Sequence, residues 1–319
     1  MAEIEMRQLK QRLALSLDEK IKYSIDRIME WYAYWGGLVY VAFSGGKDST
    51  VLAHLVRSVY PDVPLVFCNT GLEFPESIKF INTFKDKNLI ILKPKKTYQE
   101  VIDLYGYPIV SKKQAQYIHE VRVARSNTAT KRLRLTGWTS KGTYSQIDKI
   151  SKKWLYLVDS PIKVSDRCCN VMKKSPAKTY SKKTGRMAYT GIMVGEGKRR
   201  ELTYLQNGCN SYDLKTPNSK PMAIWTEKNI WEYIQRYHIA YSKIYDKGYD
   251  RTGCIYCGFG VHLEKGLNRF QRLKQTHPAR WKYCMDKLGL REVMKVYGVP
   301  IEENQMCLRG GRKKKKQED

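Results

Sequence analysis

Val41-Ala42-Phe43-Ser44-Gly45-Gly46-Lys47-Asp48-Ser49-Thr50 decides the reading of this chain. Upstream, residues 38–43 are apolar, uncharged and rich in valine and aromatics, the pattern of a buried strand. Downstream, residues 48–60 carry Val51, Leu52, Leu55, Val56 and Val59 at helical spacing. Between the two, Gly45 and Gly46 have no Cβ, so the backbone can turn sharply and approach a phosphate closely. Amides at the helix start point at such an anion, and the helix dipole favours it. Ser44, Ser49 and Thr50 add hydroxyl donors, Lys47 adds a positive charge, and Asp48 either holds Mg²⁺ or caps the helix. A Walker A loop is excluded, because it needs four residues between its first glycine and its Gly-Lys pair.

Outward from this loop, residues 64–67 and 89–92 read as short buried strands, and residues 76–85 and 98–105 as helices. The strand–helix alternation predicts an α/β fold, a parallel sheet with helices on both faces. An N-terminal helical segment occupies residues 1–35, its helix at 17–35 stopped by Gly36-Gly37. The main domain spans 36–260 and includes a basic insert at about 111–165. Within the insert, 114–125 reads as a helix and the Ser-, Thr- and Gly-rich run 126–143 as mobile. Residues 187–194 and 221–225 are read as further strands, and Thr226 as the N-cap of a helix at 227–237. C-terminal helices fill 261–308, followed by a basic tail at 309–319.

Of 319 residues, 58 are Lys or Arg and 31 are Asp or Glu, a formal charge of +27. The excess is concentrated, with 22 basic and 5 acidic residues between positions 108 and 200. Such a stretch favours a polyanion-binding face, because each neutralised phosphate releases condensed counterions. Nucleic acid, DNA or tRNA, is therefore an expected partner. The longest apolar runs are far too short to cross a bilayer, so no membrane role is expected. The acidic start Met1-Ala2-Glu3-Ile4-Glu5 lacks the apolar region of a secretory signal, which places the chain in the cytoplasm. Five histidines form no triad or metal spacing, and nothing points to a Ser-His-Asp site.

The stretch Val41–Thr50 resembles the pyrophosphate loop of the adenine-nucleotide α-hydrolase superfamily, whose members cleave between the α and β phosphates. More narrowly, Asn69-Thr70-Gly71-Leu72-Glu73-Phe74-Pro75-Glu76 resembles the matching segment of the phosphoadenosine phosphosulfate reductase family. The order that follows, Cys168-Cys169, then Thr190-Gly191-Ile192 with basic residues, then Cys254-x-x-Cys257, is similar as well. The resemblance covers roughly residues 38–260. It implies that Thr70, Gly71 and Glu73 lie beside the nucleotide, with Glu73 positioning Mg²⁺ or the ribose. It also implies that Lys198, Arg199 and Arg200 neutralise charge on the leaving pyrophosphate, although Gly195-Glu196-Gly197 departs from the reductase pattern.

Cysteines stand at 68, 168, 169, 209, 254, 257, 284 and 307. A tandem pair, 84 residues, and then a Cys-x-x-Cys is the spacing of sulfonucleotide reductases that carry a 4Fe–4S cluster. Thiolates are soft donors suited to iron; zinc is the rival metal. Adjacent cysteines rarely point the same way, so Cys209 is an alternative ligand to Cys168 or Cys169. Enzymes of DNA phosphorothioation and some tRNA thiolases are similar in joining this loop to a cluster. That likeness implies ATP-driven sulfur insertion into a nucleic acid, with a sulfur-donor protein as a possible partner. The reductases themselves imply a sulfonucleotide as substrate instead, attacked by a cysteine in a Glu-Cys-Gly-(Leu/Ile)-His setting. Cys307 in Gln305-Met306-Cys307-Leu308-Arg309-Gly310 lacks that setting. A third reading keeps the fold as a nucleotide or nucleic-acid sensor without catalysis.

Overall fold

A computed structural model describes residues 4–126 and 128–302. Cys307 and the basic tail lie outside the described residues. Eight strands occur among the described residues: β1 (Val39–Ala42), β2 (Leu65–Cys68), β3 (Leu89–Leu92), β4 (Ile109–Val110), β5 (Met187–Tyr189), β6 (Asn210–Ser211), β7 (Asn218–Ser219) and β8 (Gly258–Phe259). The chain divides into two compact units. The first runs through Pro94 and resumes with Lys173–Gly253; the second joins Lys95–Met172 to the chain from Cys254 onward.

In the first unit, six strands form one sheet in the order β3-β2-β1-β5-β7-β6, and only the β6–β7 pairing is antiparallel. Val39, Tyr40 and Val41 are all buried, as a central parallel strand covered on both faces requires. Helices Lys47–Val59 and Pro75–Asn82 supply the crossovers from β1 to β2 and from β2 to β3. The predicted α/β fold is present, with its first strands and helices within a few residues of the expected bounds.

The N-terminal helical segment is part of this unit's core. Ile28 and Trp31, on the helix Leu17–Tyr34, are fully buried. Ser16 caps that helix, with Glu19 returning a bond to the Ser16 amide at 2.8 Å. Lys20 is buried yet satisfied, donating to Leu13 O at 2.8 Å and Asn229 Oδ1 at 2.9 Å. Gly36 and Gly37 end the helix in left-handed conformations. At Gly37 a Cβ would come within 3.0 Å of the Tyr32 hydroxyl. Truncating Trp31 to alanine is expected to cost roughly 3–5 kcal/mol, a cavity effect readable from urea midpoints.

Two expected strands are revised. Residues 221–225 form a buried turn, and the strand lies at β7; Trp225 Nε1 donates to Ser24 Oγ at 2.9 Å, which ties the turn to the long helix. The 187–194 strand stops at Tyr189, because Val194–Glu196 turn into a 3-10 helix. Thr226 does cap the helix Glu227–Arg236.

In the second unit, β4 and β8 pair in parallel, so residues 109–110 and 258–259 share one small sheet. The basic stretch is therefore built together with the C-terminal helices, and the domain division expected at 260 does not hold. Its helix spans Lys112–Val123 and buries Ala115, Tyr117, Ile118 and Val121. Contrary to expectation, 126–143 contains a helix, Ala129–Thr136, capped by Thr128. Among the described residues no helix is long and apolar enough to cross a membrane.

Candidate functional site

The Ser44–Thr50 loop sits where β1 ends, between β2 on one side and β5 on the other. The chain order reverses at β1, which makes this crevice the topological switch point where open α/β sheets bind ligands. Gly45 has φ +70°, and a Cβ there would lie 2.5 Å from Ile81 Cγ1, so only glycine fits. Gly45→Ala is accordingly expected to destabilise the fold by about 1–3 kcal/mol, checked by urea unfolding. On the β5 side, a Cβ on Gly191 would press within 3.1 Å of the Asp48 carbonyl. Gly191 thus keeps the sheet edge close against the loop, a role its motif position alone did not reveal.

The loop is wired internally. Ser49 Oγ donates to Gly46 O at 2.9 Å and meets Ser44 Oγ at 3.1 Å, while the Ser44 amide donates to Ser49 Oγ at 3.2 Å. Thr50 is buried, and its hydroxyl donates back to Gly46 O at 3.0 Å. This bond shapes the loop. Gly46 begins the helix Lys47–Val59 and, having no side chain, does not itself cap the first-turn amides.

Lys47 is buried. Its Nζ donates to Asp250 O at 2.9 Å and lies 3.2 Å from Glu227 Oε1 and 4.0 Å from Asp48 Oδ1. Its amide donates to the Tyr245 hydroxyl at 2.9 Å. Asp48 Oδ1 is buried with no hydrogen-bond partner among the described residues. Burial pushes the Asp48 carboxyl above its ordinary range, and Lys47 opposes that rise. Because the folded-state value is raised, the contribution to stability is present below the ordinary carboxylate range and is lost as pH rises through the raised value. At neutral pH, charged Asp48 therefore costs stability. Asp48→Asn should raise the thermal midpoint at pH 7, and the gain should vanish below about pH 4, where Asp is protonated in both states.

The remaining expected residues separate into two groups. Thr70 is buried at the end of β2, and Gly71 follows with φ +74°. Glu73 Oε1 accepts from the Thr70 hydroxyl at 2.7 Å, and Oε2 accepts from the amides of Thr70 and Leu72 at 3.2 Å each. The carboxylate thus shapes its own turn, with Lys173 Nζ 3.8 Å away. Lys198, Arg199 and Arg200 open the helix Lys198–Asn207. Arg200 pairs with Glu196 and is within electrostatic reach of Asp48; burial lowers its pKa and Asp48 acts against that. Arg199 is exposed.

Among the cysteines, Cys209 is in the core of the first unit, its thiol 3.8 Å from the Tyr23 hydroxyl and pushed up to about 11 by burial. Cys209 thus belongs to the first unit's core. Cys168, Cys169, Cys254 and Cys257 all belong to the second unit. Cys168 and Cys169 lie on a single helical turn, and a π-helical turn, Asn170–Lys174, follows directly. Such π turns mark functional positions in many helices. The Cys257 amide donates to Cys254 O at 3.2 Å, closing the Cys-x-x-Cys turn. Buried Tyr98 has its pKa raised mainly by burial, with Cys168, Cys257, Cys254 and Cys284 adding to the rise. Its hydroxyl donates to Tyr256 O at 3.4 Å. Cys169 also adds to the burial-driven rise at Cys257. Among the described residues, no three His, Cys, Asp or Glu side chains are arranged to hold a metal ion.

A mostly parallel sheet with helices around it, and a glycine-rich strand-to-helix loop with a buried lysine at its switch point, defines an α/β protein. The chain belongs to the phosphoadenosine phosphosulfate reductase domain family, whose profile matches residues 38–138 and 133–258. It is 24% identical over 246 residues to the adenosine 5'-phosphosulfate reductase of Geobacillus kaustophilus, covering 75% of this chain and 81% of that protein. It is 26% identical over 286 residues to an uncharacterized protein of Methanocaldococcus jannaschii, covering 85% of this chain but 54% of that protein. A second uncharacterized protein of that organism is covered over 40% of its length. The phosphoadenylyl-sulfate reductase of Candida auris, solved as a phosphate complex, matches 79% of this chain and 97% of that one, at 15% identity and a TM-score of 0.43.

Proposed function

We infer that this chain is a PP-loop enzyme that cleaves ATP to AMP and pyrophosphate in order to activate a nucleic acid for sulfur transfer. The buried Lys47 at the start of the helix Lys47–Val59, directly after the glycine pair, is the observation that carries the reading. A substrate oxygen attacks the α-phosphorus, the bond from that phosphorus to the bridging oxygen of the β-phosphate breaks, and pyrophosphate leaves with the electron pair. A sulfur nucleophile supplied by a donor protein then displaces AMP from the adenylated substrate. Lys47, the loop amides and Arg200 offset the charge that grows on the leaving group. The concentrated basic stretch supports a polymeric anion as the acceptor.

Asp48 would hold a Mg²⁺ ion: its buried oxygen without a partner fits a hard cation, which would neutralise phosphate charge. Cys168, Cys169, Cys254 and Cys257 would hold a 4Fe–4S cluster, a reading supported by their soft donor chemistry and by their place in one compact unit, with Tyr98 in electrostatic reach of Cys168, Cys254 and Cys257. When bound, the cluster supplies redox-active iron. The test is spectroscopic. Protein purified without oxygen should be brown and bleach in air, and Cys254→Ser with Cys257→Ser should abolish the colour. Colourless protein holding one zinc per chain would refute the cluster.

A second reading, reduction of a sulfonucleotide, is supported by relatives named adenosine 5'-phosphosulfate reductase at 23–24% identity. It predicts sulfite release from such a nucleotide, lost on Cys307→Ser.

A further inference from the structure

The basic stretch carries a small projecting hairpin that none of the chemistry above uses. The helix Ala129–Thr136 buries none of its side chains. It stops at Gly137, φ +90°, where a Cβ would lie 2.8 Å from Tyr144 Cε2 and 3.1 Å from Ser145 O. The chain then doubles back: Thr139 N donates to Thr143 O at 2.9 Å, and Ser145 N to Gly137 O at 2.8 Å. Trp138 and Tyr144 face each other across this antiparallel bridge, ring centroids 5.4 Å apart and tilted by 59°. Both stay open to solvent, at 49% and 45% exposure.

Cations frame the rings. Lys149 Nζ donates to the Tyr144 hydroxyl at 2.7 Å and sits 5.2 Å over its ring. Arg132 is exposed and braces the hairpin through Thr139 O at 3.1 Å, and exposed Lys141 lies at the tip. No acidic residue occurs in the sequence between Glu120 and Asp148. Asp148 is itself held inward by Ser145 and Tyr117, at 2.6 and 2.9 Å. Arg134 fixes the base, bonded to Glu120 at 2.7 Å and lying 3.7 Å over the Tyr117 ring.

Two half-exposed π-faces on a braced turn, ringed by positive charge, match a polymer that is both anionic and rich in accessible flat rings. Duplex bases are already stacked on each other, whereas a single strand offers its base faces. An acidic peptide would satisfy the cations but leave the aromatic faces wet. We propose that the Trp138–Tyr144 hairpin is a stacking platform for single-stranded nucleic acid. It rests on the nucleic-acid reading above and gives that reading a surface and a strand state.

The test uses the full chain and fluorescence anisotropy of end-labelled oligothymidylate and oligouridylate at low salt, with a blunt duplex and poly-glutamate as competitors. Trp138→Ala and Tyr144→Ala should each weaken single-strand binding by roughly 5- to 150-fold, the range for loss of one stacked base. Trp138→Phe, which keeps a ring, should restore most of the affinity, and none of these changes should alter the salt slope. Single-strand binding independent of both rings, or duplex competing as well as single strand, would overturn the platform while leaving nucleic-acid binding in place. Poly-glutamate displacing the oligonucleotide with the same dependence on Trp138 would overturn it in favour of an acidic protein partner. No binding of either oligonucleotide would reject the nucleic-acid reading as well.

Discussion

Lys47→Ala is expected to lower pyrophosphate release from ATP by about 10²–10³-fold, the usual effect of deleting one preorganised electrostatic contact. The fold should survive. Removing the ammonium leaves Glu227, whose side chain is 61% exposed, solvated and not stranded as a buried charge. The bond to Asp250 O is lost and the Asp48 carboxylate loses the cation that offsets its burial, so the thermal midpoint should fall modestly. Lys47→Gln can still donate to Asp250 O without restoring the charge. Circular dichroism should stay near that of the parent while turnover collapses in both variants. Turnover at the parent rate in Lys47→Ala would remove the loop from the chemistry.

The second large effect is ionic. If the basic stretch contacts about six phosphates, affinity for DNA should fall about a thousandfold between 50 and 200 mM salt, with a slope near −0.9 per phosphate. Lys131→Gln with Arg132→Gln should flatten that slope by about two such units. Arg134 is not a useful partner in that test, because Glu120 and the carbonyl of Asp148 already hold it at 2.7 and 3.0 Å. A slope near zero would show that the +27 charge serves something other than a polyanion.

The contrast between Arg132 and Arg134 illustrates what a sequence conceals. Both sit in one basic run, yet one faces water and the other is clamped by carboxylate and carbonyl groups 14 positions away on either side. The same clamp turned a stretch read as mobile into a helix and a hairpin. By comparison, β1, the loop and the helix Lys47–Val59 were legible to within a residue or two, because their signals are local: apolar runs, paired glycines, helical spacing. Tyr245 and Asp250 were not, since they reach Lys47 from 198 and 203 residues further along the chain. The surroundings of Cys209 were hidden for a related reason. Cysteine spacing says which thiols are near in sequence, and not that this one is buried in the first unit's core, 3.8 Å from the Tyr23 hydroxyl. The bonds by which Glu73 braces its own turn were equally illegible in the motif.

The claim that orders all of these is cleavage at the α-phosphate in the crevice at the end of β1. Phosphorus-31 spectra of ATP incubated with the full chain, Mg²⁺ and a single-stranded oligonucleotide test it directly. The account predicts signals of AMP and pyrophosphate that grow together and are absent with Lys47→Ala. ADP and orthophosphate, or no turnover of ATP beside sulfite release from a sulfonucleotide, would contradict it.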